Sequence, residues 1–181
     1  MAARVSAGCA PKPSDPIKKA LMLKPLCALL CLLSPHALAA EWTFEAGGTP
    51  IAYFDNSDAQ FQFACRGGDL AMAYWVRSPG AWVTGAQSMS LAITATGTAV
   101  SNDGATKFAQ DLPVIHSDGS SVIVRGPVAQ QWARIAQGAR ETIHLAYVRT
   151  KPDGGLEFLD RHSFSARGSA AAIAKVLAHC G

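Results

Sequence analysis

The segment from Phe61 to Tyr74 leaves the chain few choices of fold. Phe61, Phe63 and Cys65 alternate with smaller or polar residues, Gly67-Gly68 interrupts, and Leu70, Met72 and Tyr74 then alternate again. Alternation marks a strand with one buried face, and a two-residue glycine turn joins two such strands into a tight hairpin. With Gly67 and Gly68 at the turn, Arg66 stands opposite Asp69, Cys65 opposite Leu70, Phe63 opposite Met72 and Phe61 opposite Tyr74. All the large apolar pairs then share one face, and a slip of one residue would turn every one of them outward. The same register aims Cys65 at the core and leaves Arg66 and Asp69 as an exposed pair, worth only about a few tenths of a kcal/mol.

Period-two patterning continues elsewhere. It recurs at Trp42, Phe44 and Ala46, from Ile51 to Phe54, at Met89, Leu91 and Ile93, weakly from Thr98 to Val100, from Val122 to Arg125, at Ile143, Leu145 and Tyr147, and at Leu156, Phe158 and Phe164. Two stretches break the pattern. Pro127 at a favoured first helical position, followed by Val128, Trp132 and Ile135, predicts a short amphipathic helix ending at Gly138. Ser169 as an N-cap, with Ile173, Val176, Leu177 and Cys180 along one face, predicts a C-terminal helix that carries its cysteine inward. The expected fold is α+β and mainly β. It is an antiparallel β-sandwich or a partly open barrel-like meander, with a short mid-chain helix and a disulfide-anchored C-terminal helix.

The N-terminal third has a different character. From Met22 a basic start, an apolar run from Leu26 to Leu33 and an Ala37-x-Ala39 ending form a secretory signal. That run is too short for a membrane span, which needs about 20 apolar residues. Met22 is therefore the expected start, residues 1–39 an extension plus signal peptide, and residues 40–181 a single β-rich domain with no membrane span. Removing the first 40 residues takes away Arg4, Lys12, Lys18, Lys19 and Lys24 against Asp15, leaving 11 basic and 12 acidic residues, a net charge of −1 instead of +3. Near-neutrality with scattered arginines lacks the footprint of a nucleic-acid binder. The same removal leaves Cys65 and Cys180 as the two cysteines of the mature chain, and in an oxidising compartment such a pair forms a disulfide. The expected location is the periplasm, or outside the cell, of a Gram-negative bacterium.

Motifs for chemistry are sparse. The mature chain has no Gly-x-Ser-x-Gly, His-Glu-x-x-His, P-loop or dinucleotide fingerprint. No cofactor and no metal are expected. His116-Ser117-Asp118, with Asp111 upstream and Ser120 downstream, could supply a base, a carboxylate and a hydroxyl for hydrolysis, though such residues are ordinary in a polar turn. Asp160 and His162 have the spacing of two metal ligands on one strand face, but no third ligand accompanies them. His144 and His179 read as surface residues. Trp75, Arg77 and Trp82 flank the Ser78-Pro79-Gly80 loop, and two indoles with an arginine beside a turn have the composition of an interface anchor.

Trp42, the Cys65 to Gly68 hairpin and the ending from Phe164 through Gly168, Ser169, Ala172, Ile173 and Val176 to Cys180, joined to a signal peptide, resemble a broad set of small secreted proteins. That set is similar to the invasion-associated locus B proteins and to periplasmic accessory proteins of type VI secretion. The resemblance spans the layout of the mature chain, implies fold and compartment, and implies no catalytic residue. The expected function is thus a non-enzymatic protein that binds or supports another envelope protein. A secreted inhibitor or ligand-binding module is the alternative, and a hydrolase built on His116 is a weaker third.

Overall fold

A computed structural model describes residues 40–180. The proposed signal peptide and the Met22 start lie outside those residues. Strands β3 (Ala59–Arg66) and β4 (Asp69–Val76) pair in the register that the apolar pattern dictates, from Phe61 opposite Tyr74 to Arg66 opposite Asp69. Strands β1 (Thr43–Glu45) and β2 (Ile51–Asp55) extend this hairpin on one side and β7 (Ser120–Arg125) on the other, giving a five-stranded antiparallel sheet in the order β1-β2-β3-β4-β7. Strands β5 (Ser88–Thr94), β6 (Lys107–Pro113), β8 (Thr142–Thr150) and β9 (Leu156–Ser165) form a second antiparallel sheet, ordered β6-β5-β8-β9. Because β7 returns to pair with β4 after β5 and β6 have built the other sheet, the expected sandwich is what forms, not a simple meander.

The inner faces meet in an aromatic core. Tyr74 lies 5.1 Å from Tyr147 between ring centroids, Phe61 lies 5.6 Å from Phe164, and Trp42 packs edge-on against Phe61 at 5.2 Å. Helix α2 (Gly126–Gly138) covers β4 and β7, and α3 (Ser169–Leu177) covers β1 to β3 while packing on α2. Cys65 on β3 and Cys180, just past α3, form a disulfide with Cα atoms 5.7 Å apart, closing 115 residues of chain. In the loop-entropy view a closure of that length is worth about 4 to 5 kcal/mol. No helix among the described residues is long and apolar enough to cross a membrane.

Three local expectations are corrected. Of Val128, Trp132 and Ile135, only Trp132 lies on the buried face of α2, which it shares with Ala129, Ala133 and Ala136; Val128 is exposed. Alanines let α2 lie close to both the sheet and α3, whereas the larger residues would hold it off. Ser169 does not cap α3. Gly168 does, at a left-handed φ of +80°, and the buried Ser169 hydroxyl donates across to the Ala136 carbonyl at 2.8 Å. Thr98 to Val100 is no strand; Val100 instead covers the outer face of the second sheet, over Ala92, Ala146 and Val148.

Strand β9 lies at a sheet edge, where free carbonyls invite another strand. Here four of them are occupied. Phe158 O accepts from Arg161 Nε, Asp160 O from the Tyr74 hydroxyl, Ser163 O from Asn56 Nδ2 and Ser165 O from Trp42 Nε1, at 2.6 to 3.3 Å.

Candidate functional site

The end of β4 remote from the disulfide gathers most of the residues that composition singled out. Arg77 leaves the strand with its backbone N–H on Asp58 O. Its guanidinium is fixed bidentately on Asp55, at 3.0 and 2.5 Å, and lies 4.6 Å over the Trp75 ring. The arginine beside Asp55, helped by the Ser57 backbone N–H, holds that carboxyl below the usual carboxylate range. Trp75 is half-buried on the outer face of its sheet.

Trp82 stands apart from this pair. It lies on α1 (Ala81–Thr84), one turn that the sequence patterning did not reveal, and 65% of its surface is exposed, the most of any large apolar residue described. Its surroundings are built to hold it. Val83 is fully buried and pins the turn to the core. The Gly80 N–H donates to the Asp160 carboxylate at 3.1 and 2.9 Å, and the Thr84 hydroxyl reaches back to Gly80 O at 3.1 Å. The Arg149 guanidinium stacks on the indole, 3.7 Å from its centroid, and is itself paired with Glu157. Asp160, Arg149 and Glu157 are the residues that sequence reading missed as part of this site, because they come from β8 and β9, far along the chain.

Behind the Ser78-Pro79-Gly80 loop is a cleft of about 410 Å³ lined by Asp58, Arg77, Ser78, Asp160 and His162 among others. Asp160 sits where β9 bulges against β8, at φ +44°, a conformation few non-glycine residues adopt. Its two ends serve different partners, the carboxylate clamping Gly80 and the carbonyl accepting from Tyr74. Burial lowers the pKa of His162 and raises that of Tyr74 well above the ordinary value. No group of three potential metal ligands occurs among the described residues.

His116 is held at both nitrogens, Nε2 by Ala86 O and Nδ1 by Ser120 Oγ, each at 2.8 Å. A carbonyl only accepts, so Nε2 donates to Ala86 O, while Nδ1 shares a hydrogen bond with the Ser120 hydroxyl. This has the look of a nucleophile and its base, but Ser120 is fully buried and no carboxylate orients the ring. In this arrangement the pair is a latch that fastens the loop before β7 onto the turn after α1. His144, expected at the surface, is instead 9% exposed and bonded through Nδ1 to the Ser163 hydroxyl at 2.8 Å; burial lowers its pKa.

Compared with protein-family models, curated proteins and solved structures, the chain matches none. What the site itself offers is an exposed aromatic side chain on a pedestal of charged and backbone hydrogen bonds.

Proposed function

We propose that this is a non-enzymatic binding protein of the periplasm or the secreted space, and that it engages another envelope protein through Trp82. The observation that carries the reading is the indole itself. A tryptophan left 65% exposed gains little by burial, yet three separate contacts fix its turn and a fourth, Arg149, fixes its ring. Holding a large amphipathic side chain still before binding lowers the ordering cost of association. Tryptophan and arginine are also among the residues enriched at interface hot spots. The blocked carbonyls of β9 argue against recruitment by strand addition there, so side-chain docking is the mode proposed. The disulfide, the signal-like N-terminal sequence and the resemblance to small envelope proteins support the compartment.

A photo-crosslinking residue placed at position 82, with one at Lys151 as control, tests this in the native envelope. The expected result is a discrete adduct from position 82 alone. The captured protein, once purified, should bind the wild type and lose affinity about 30-fold or more for Trp82→Ala, the scale of an aromatic hot spot. Equal adducts from both positions, or a partner indifferent to Trp82→Ala, would overturn it.

A further inference from the structure

We propose that the outer face of the five-stranded sheet carries a second site, which binds an N-acetylated hexosamine unit and is independent of Trp82. Two adjacent cross-strand rows build it. Gln62, Ala73 and Ile123 are register partners across β3, β4 and β7, and so are Gln60, Trp75 and Ser121. Successive rows on one face stand about 7 Å apart. Alanine at the centre of one row therefore leaves a depression between larger neighbours, and a cavity of about 300 Å³ opens there.

The lining is mixed: Asp118 accepts from the Ser117 hydroxyl at 3.0 Å, and most of the other polar groups are uncommitted. The side chains of Gln60, Gln62 and Ser121 make no hydrogen bond among the described residues, and the buried Trp75 Nε1 has no acceptor. One wall is shaped for the purpose. Gly119 has φ +137°, and a Cβ there would lie 2.4 Å from Val76 O and 2.7 Å from Trp75 Nε1, so only glycine lets this loop press on the indole. The His116 bonds to Ser120 and Ala86, with the bridge between Ile115 and Ser121, hold that loop in place and bring Asp118 to the rim.

A pyranose bearing an acetamido group matches this set. Its amide N–H and C=O complement a glutamine carboxamide, its methyl fits over Ala73, its C–H surface suits Trp75 and Ile123, and its hydroxyls can donate to Asp118. An anion would meet the Asp118 carboxylate, and the nearby Arg77 is already committed to Asp55. A peptide strand would find no partners face-on, because the backbones of β3 and β4 are paired on both sides within the sheet.

The test is titration of the disulfide-intact protein with N,N′-diacetylchitobiose, read by amide NMR. Saturable shifts of the Gln60 and Gln62 carboxamides and of the Trp75 indole N–H are expected. Cellobiose, which lacks the acetamido groups, and the Gln60→Ala, Gln62→Ala double variant should each weaken binding about tenfold or more, with the variant's melting temperature unchanged. Trp82→Ala should bind the sugar like the wild type. Absent saturation, equal binding of cellobiose, undiminished binding by the double variant, or loss of binding on Trp82→Ala would each overturn the proposal.

Discussion

The two ends of β4, about 24 Å apart along an eight-residue strand, are built on opposite principles. At the Asp69 end the hairpin meets α3, and what joins them is apolar burial and the Cys65–Cys180 bond, while the buried Ser169 hydroxyl fastens α3 to α2. At the Val76 end the joints are charged and partly wet, with Asp55 on Arg77, Asp160 on Gly80 and Arg149 on Trp82. The first end stabilises the fold. On the proposed reading, the second serves mainly to orient side chains for binding. Substitutions at the stapled end should therefore appear mainly in stability, and substitutions at the other end mainly in binding.

The sharpest contrast comes from the disulfide. The Cys65→Ser, Cys180→Ser variant should lose about 2 to 5 kcal/mol. In limited proteolysis the C-terminal helix should be released first, because nine residues of largely alanine helix are marginal without packing. Retention of the full melting temperature would break the contrast. Ser169→Ala should cost about 1 to 3 kcal/mol, since it strands the buried Ala136 carbonyl; denaturant unfolding measures it.

The difference between the ends also explains what could be read from sequence. The hairpin register was legible because both partners lie within one short segment and a single slip spoils every pair. Cys65 and Cys180 each sit in their own local pattern, and the two patterns point the same way. The Trp82 pedestal had no such signature. Its supports, Asp160, Arg149 and Glu157, come from the other sheet, and Asp160 acts through a bulge that strict alternation does not foresee. Strand β6 escaped notice because it is mostly exposed and kinks at Asp111, φ +51°, so its apolar residues keep no regular period. In α2 the pattern picked the larger residues, although close packing selected alanines one position along.

Acid should weaken the fold through two histidines, His162 in the cleft at the Val76 end and His144 on the second sheet. Burial lowers the pKa of His144 and of His162, so the unfolded chain takes up their protons first. Their contribution is whole above about pH 6.5 and is lost as pH falls below it. His144→Gln or His162→Gln should each flatten the stability profile between about pH 6.5 and 5, as read by melts across that range. The Asp55 carboxyl, held low by Arg77, keeps its contribution above about pH 4 and loses it only below. That contribution is small, because the pair is about one-third exposed. The smallest stability effect belongs to Trp82→Ala, expected within about 0.5 kcal/mol of the wild type.

That variant also bears most directly on the central idea, that the Val76 end exists to present an indole to a partner. The measurement is the affinity of the partner captured at position 82 for wild type and for Trp82→Ala, taken beside their melting temperatures. An affinity lower by about 30-fold with melting unchanged is the predicted result. Unchanged affinity, or a loss of affinity that merely follows a large fall in melting temperature, would contradict it.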